Sequence, residues 1–217
     1  MKTTKEVIKL YNKNFKKKKE HEKVLWSSHK AMLSRYKILF RLLRLKKIKK
    51  WIDIGSGTGA IFKFHEKTNI KIRERIGIEI NKRLFFYSKK KKYKFNTNFF
   101  NIDFLKYKTK KKFDLITLIG VLQNCGYDYS RILKKVKKIM NKNATLFLTS
   151  KNVNFKYLHR VDLSKNNHQW LDPILIKKLL EKNGIKIIKI NSFNSQTNRI
   201  VKLNNSSNFF IYGKNIK

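Results

Sequence analysis

Gly55, Gly57 and Gly59 stand at alternate positions behind the apolar run "WIDI", and inside that run sits a single acid, Asp53. Glycine lets a ligand approach the backbone, and a helix opening behind such a turn offers unpaired N–H groups. Two further acids close apolar runs downstream, Glu79 in "IGIEIN" and Asp103 in "FFNIDF". A carboxylate at the first of these ends can accept hydrogen bonds from both hydroxyls of a ribose. One at the second can take a hydrogen bond from an adenine amino group. Three carboxylates at successive strand ends suit a cationic ligand that carries an adenosine, and they repel a pyrophosphate. Two alternatives stay open on these residues alone. Gly55, Gly57 and Ala60 also satisfy the dinucleotide pattern G-x-G-x-x-A, and each acid singly is an ordinary turn or cap residue.

Elements of alternating type must hold these groups. Strand patterns fall at "KWIDIG", "RIGIEI", "TNFFNID", "FDLITLIG", "ATLFLTS", "IKIIKINSF" and "NFFIYGK", with helix patterns at "YSRILKKVKKIM" and "DPILIKKLLEKN". Five alternating units predict a mostly parallel α/β sheet covered by helices on both faces. The last two strands follow without an intervening helix, which predicts a C-terminal antiparallel hairpin. "NKNA" and "KNG" mark turns before strands five and six. The first part of the chain reads as helices, and "HKAMLSRYKILFRLLRL" carries an apolar stripe through Met32, Leu33, Tyr36, Leu39, Phe40 and Leu43. The expected division is a helical cap over residues 1–48 and one ligand-binding domain over 49–217.

The 217 residues include 54 Lys+Arg against 13 Asp+Glu, a formal net charge of +41. Such a balance predicts nonspecific binding to RNA or to an anionic membrane surface at low salt. The lysines are spread through every segment, and residues with A/T-rich codons prevail throughout: one proline, eight glycines, and alanine only at Ala31, Ala60 and Ala144. The charge is therefore read first as the drift of an A/T-rich genome, since a selected footprint clusters on one face. Cys125 is the single cysteine, which excludes an internal disulfide and a structural zinc cluster. No apolar run approaches the roughly 18 residues that span a bilayer, and no signal peptide is read. A cytoplasmic location is expected.

Asp53-Ile-Gly-Ser-Gly-Thr-Gly59, Glu79, Asp103 and "FDLITLIGVLQNC" together resemble the successive motifs of class I S-adenosylmethionine-dependent methyltransferases, in particular their small-molecule and lipid branch. The resemblance runs from about Trp51 to the end and includes "HQWLDPILIKKLLEKNGIKI". It implies a Rossmann-like sheet of seven strands with N-terminal helices added, and S-adenosyl-L-methionine as cofactor. It also implies roles: Gly55, Gly57 and Gly59 line the cofactor, Glu79 holds the ribose, Asp103 with Phe104 holds adenine, and Ile119 with Gly120 pass beneath the methionine part. Asp53, Ser56 and Ile80 complete that set, and Arg35 is expected at the methionine carboxylate.

Methyl transfer is an in-line displacement, so the protein mainly aligns donor and acceptor and excludes water. A hydroxyl acceptor also needs a base. His168 is preferred over His159 and His29, because Trp170 beside it can wall a substrate pocket; capping of the following helix, marked by Asp172 and Pro173, is its plainer role. The Asn/Asp-Pro-Pro-aromatic motif of amino-group methylation is missing from "IGVLQNCGYD". Gly120, Gln123 and Asn124 stand where related ubiquinone-pathway enzymes carry metal ligands, so no metal is expected. The long connection "KNVNFKYLHRVDLSKNNHQW" is read as a lid. The expected function is methyl transfer, to oxygen, on a small metabolite, lipid precursor or sugar intermediate. The alternatives are an rRNA or tRNA methyltransferase and a cofactor-binding module without turnover.

Overall fold

The computed structural model describes residues 3–43, 47–125, 129–163 and 168–216. Parts of three predicted segments, residues 44–45 of the N-terminal stripe, 126–128 after strand four and 164–167 within the expected lid, lie outside them.

Three helices come first, α1 (Thr4–Phe15), α2 (Glu20–Lys23) and α3 (His29–Leu42). Thr3 and Glu6 form a reciprocal capping box at α1, and the Ser28 hydroxyl accepts the Ala31 N–H at the start of α3. Then follow β1 (Lys50–Ile54), α4 (Ala60–His65), β2 (Glu74–Glu79), α5 (Lys82–Lys89), β3 (Thr97–Asn101), β4 (Phe113–Ile119), α6 (Tyr129–Ile139) and β5 (Met140–Asn152). The chain ends with β6 (Trp170–Leu171), α7 (Pro173–Lys182), β7 (Ile185–Phe193), β8 (Ile200–Val201) and β9 (Asn208–Asn215). Asp172 caps α7 by accepting the Ile174 N–H at 2.8 Å, with Pro173 in the first turn where its missing N–H costs nothing.

Among the described residues nine strands make one sheet, in the order β3-β2-β1-β4-β5-β9-β7-β8 with β6 beside β5. The pairs from β3 to β5 are parallel, while β9 runs antiparallel to both β5 and β7. All seven predicted strands are present. The count of seven is corrected by β6 and β8, whose two residues are too short to show a period and pair only because neighbouring strands present free edges. "NKNA", predicted as a turn, lies inside β5, where Asn143 takes a left-handed φ of 64° and the pairing with β4 shifts register.

β1 is buried on both faces. Ile52 and Ile54 join a core with Ile132, Leu133 and Val136 of α6 and Ile176 of α7. Trp51 joins the opposite core with Met32, Leu39 and Phe40 of α3 and Phe62 of α4. Among the described residues no helix is long and apolar enough to cross a membrane.

The second core encloses a charge. Arg75 on β2 is 0 % exposed, and its guanidinium donates to the Phe62 and Phe95 carbonyls, Thr97 Oγ1 and Glu66 Oε1 at 3.0 Å. Its Nη1 also faces His65 Nδ1 at 3.0 Å, while His65 Nε2 lies 2.7 Å from the Ile70 carbonyl. Nδ1 therefore accepts and Nε2 donates, and burial with the Arg75 charge holds the His65 pKa down to about 4. Removing one member of a buried pair leaves the other uncompensated, so Arg75→Ala should cost about 3 kcal/mol in urea unfolding, with Glu66 and His65 stranded. A change below about 1 kcal/mol would show that the network does not support the core.

Candidate active site

The sheet order reverses between β2-β1 and β4-β5, and in open α/β sheets ligands bind beyond the strand ends at that point. A cavity opens there, with the glycine turn behind β1 as its floor. Gly55 N–H and Ser56 N–H both donate to the Ile78 carbonyl, at 2.8 and 3.0 Å, which folds the turn over the end of β2. Glu79 completes the anchor. Its Oε2 accepts the Gly57 N–H at 2.7 Å and its Oε1 the Asn81 N–H at 2.8 Å. Burial still dominates, and pushes the Glu79 carboxyl up to about 7 against those donors.

Asp53 lies on the same floor. Trp51 Nε1 donates to Thr117 Oγ1 at 2.8 Å, and that hydroxyl donates to Asp53 Oδ1 at 2.5 Å, so one hydrogen-bonded chain ties β1 to β4. Burial, with a smaller push from the Glu79 charge, raises the Asp53 carboxyl to about 7. Asp103 Oδ1 accepts the Leu105 N–H at 2.8 Å beyond β3. Ile80, Ile102 and Phe104 add apolar wall beside it.

The remaining wall comes from elements without a sequence motif. Asn81 Nδ2 reaches α1, donating to Asn12 Oδ1 at 3.0 Å and to the Ile8 carbonyl at 3.3 Å. α1 is thereby laid along the cavity, where it contributes Val7 and Tyr11. Behind α2, Leu25 takes a left-handed φ of 62°, a conformation that costs a bulky residue of order 1–3 kcal/mol and turns the chain so that Val24 and Trp26 face the glycines. A methyl group added at Gly57 would stand 2.9 Å from Val24 Cγ1, and one at Gly120 only 2.4 Å from the Trp26 ring. The glycines thus admit the N-terminal segment as well as a ligand, which their spacing alone did not suggest.

Asn124, in a short 3-10 turn after β4, organises the other side. Its Nδ2 donates to the Gly120 carbonyl at 3.2 Å and to Tyr11 Oη at 3.2 Å, and its Oδ1 faces His168 Nδ1 at 2.8 Å. A carbonyl partner can only accept, so the amide orientation is fixed by Gly120. The amide oxygen in turn requires the proton on His168 Nδ1, leaving Nε2 as the basic nitrogen.

Asp53, Gly55, Ser56, Gly57, Glu79, Ile80, Asp103, Phe104, Ile119, Gly120 and His168 all line this one cavity. Gly59 does not; it caps α4 at φ 70° and faces Tyr93 and Phe99. Arg35 does not either, and lines a second cavity across Trp26. Tyr11 and Trp26 are among the lining residues that sequence patterns missed, since no local signal marks a side chain brought in from the N-terminal helices; Asn124 lies within the motif after β4, but its hold on His168 appears only in the fold. The lining suits the chemistry of an adenosine-bearing ligand: acids at strand ends, an apolar wall, and two buried polar atoms, Ser56 Oγ and Gln123 Nε2, with no hydrogen-bond partner.

Residues 45–208 match the family model described as a methyltransferase domain. No curated protein sequence matches the chain. Among solved structures, the N-methyltransferase NodS from Bradyrhizobium japonicum WM9 in complex with S-adenosyl-L-homocysteine aligns over 97% of this chain and 99% of its own, at 13% identity and a TM-score of 0.69. A SAM-dependent methyltransferase from Archaeoglobus fulgidus aligns over 85% of this chain and 94% of its own, at 18% identity and a TM-score of 0.64. Magnesium protoporphyrin IX methyltransferase (ChlM) from Synechocystis PCC 6803 aligns over 94% and 91%, at 15% identity and a TM-score of 0.63. These likenesses are of fold, while the family match covers well over half the sequence. The chain belongs to the methyltransferase-domain family and has the class I S-adenosylmethionine-dependent methyltransferase fold.

Proposed function

We propose that the chain transfers a methyl group from S-adenosyl-L-methionine to an oxygen of a small metabolite, lipid precursor or sugar intermediate, residues 1–48 serving as a cap on a catalytic domain of 49–217. The observation that carries this reading is the single cavity at the strand-order reversal that joins the glycine turn, Asp53, Glu79 and His168.

The cofactor, when bound, supplies a methyl group activated by a sulfonium. Glu79 would hold the ribose, Asp103 and Phe104 the adenine, and the turn from Gly55 to Gly57 with Ile119 and Gly120 the amino-acid end. The floor carboxylates favour a cation once ionised. His168, with Nδ1 held by Asn124, presents Nε2 as the base that removes a hydroxyl proton. Val24 closes over Gly57 and Trp26 over Gly120, with Tyr11 in the same wall, and together they would exclude water. A cap of this kind supports a small acceptor over a long polymer. The net charge of +41 accounts for nonspecific attraction to RNA or anionic membranes without making either the substrate.

The deciding experiment follows a labelled methyl group from the cofactor into an extract of the source cell, fractionated at moderate salt. Label in the lipid or small-molecule fraction is expected; site-specific label in RNA would overturn the acceptor class.

Both floor carboxyls are held near 7, so they ionise as pH rises through about 7. Calorimetry should therefore show affinity for the cationic cofactor, relative to its neutral product S-adenosylhomocysteine, rising across that interval. Glu79→Gln should weaken cofactor binding about 10-fold and flatten the rise; unchanged affinity would place the ribose elsewhere. Once the acceptor is known, His168→Ala should lower kcat about 100-fold with cofactor affinity intact. Normal turnover would remove the imidazole from the chemistry.

A further inference from the structure

A second cavity of 530 Å³ lies across Trp26 from the first, within the roughly 300–1,000 Å³ typical of small-molecule sites. Leu25, Trp26 and His168 line both cavities. Its chemistry is unlike that of the first. Arg35 of α3 is 3 % exposed and lies over Trp26, its guanidinium carbon 4.0 Å from the ring centre. Nη1 donates to the Ala31 carbonyl and Nη2 to Asn208 Oδ1 at 2.8 Å, while Nε is buried with no partner. Lys151 of β5 stands beside it, since its backbone pairs with Asn208 on one side and Trp170 on the other. Its ammonium lies 5.4 Å from the Trp170 ring centre.

Among the described residues no carboxylate forms an ion pair with either cation; the ion pairs there involve other lysines and Arg75. Glu22 also borders the cavity, and its carboxylate accepts the Lys19 N–H at 3.3 Å. The two buried arginines make the contrast plain. Arg75 has its donors met and a carboxylate at 3.0 Å; Arg35 has an orphaned donor, neutral partners only, and a second cation for a neighbour. Burial holds the Arg35 pKa down to about 9. Burial, with the Arg35 charge added, holds Lys151 down to about 8. A site that confines two positive charges this way is relieved by an anion.

We propose that the second cavity holds an oxyacid group, carboxylate or phosphate, of the methyl acceptor, gripped by Arg35 and Lys151. This deepens the methyltransferase reading and rests on it. The acceptor is then an organic anion whose charged end lies in the second cavity and whose reacting group approaches His168, which borders both. The cofactor's own carboxylate is the other source of such a group. Trp26 stands between Arg35 and the first cavity, which favours the acceptor.

Two of the three tryptophans of the chain, Trp26 and Trp170, touch these cations and serve as reporters. Inorganic phosphate is titrated into the full chain at moderate potassium chloride, with tryptophan fluorescence as readout and S-adenosylhomocysteine binding measured in parallel by calorimetry. A saturable change is expected in the native chain, weakened at least about 10-fold by Arg35→Gln and by Lys151→Gln, with affinity for S-adenosylhomocysteine kept. Lys178→Gln on the exposed face of α7 should change nothing. Absence of saturation, or equal phosphate affinity in all variants, overturns the proposal. Loss of S-adenosylhomocysteine binding in the two variants also overturns it, and assigns the cations to the cofactor. If circular dichroism shows Arg35→Gln unfolded, Lys151→Gln decides. Failure of the native chain to bind S-adenosylhomocysteine at all would instead count against the methyltransferase reading.

Discussion

A carboxylate that is 6 % exposed must find donors or lose its charge, and Glu79 finds them in the backbone around it. The N–H groups of Gly57 and Asn81 converge on its two oxygens, so the end of β2, the glycine turn behind β1 and the start of α5 are held by one group. Asn81 then carries the constraint outward, because its side chain caps α5 and reaches α1. The position of α1 along the cavity therefore depends on an acid that the glycine turn already requires. A side chain at position 57 would break the arrangement twice over, through its left-handed φ of 53° and through collision with Val24.

Trp26 is the second organising element. One end of its ring lies against Gly120, and its face carries the Arg35 guanidinium. A single indole thus separates an acidic cavity from a basic one. On the proposed readings, the acidic side would receive the cationic donor and the basic side the anionic acceptor, and His168 borders both cavities. Such a division would place opposite charges of two small molecules on opposite sides of one wall and so favour one relative orientation of the pair.

The site also explains why an abundance of lysine is a poor guide to function. The chain has 54 basic residues, and many of them are exposed to solvent. The informative ones are the few that the fold withdraws from it: Arg75, fully satisfied and structural, and Arg35 with Lys151, left with unmet charge beside a cavity. Burial and partnership, rather than count, separate these roles.

The sequence by itself determined the order and type of the elements, the glycine turn and the acids at the strand ends, because each rests on local physics. A short, nearly continuous apolar run marks strands such as β4, a Pro after Asp marks the start of α7, and only glycine accepts the backbone of the turn without strain. Tertiary structure alone decided what surrounds those groups. Nothing near Tyr11 or Trp26 in the chain announces a cavity wall, since their partners Asn124 and Gly120 lie more than a hundred and more than ninety residues away respectively. Arg35 reads as one more arginine on a basic helix until Asn208 and Trp26 enclose it. Helices and turns are built from neighbours in sequence, but burial of a charge is a property of what folds over it.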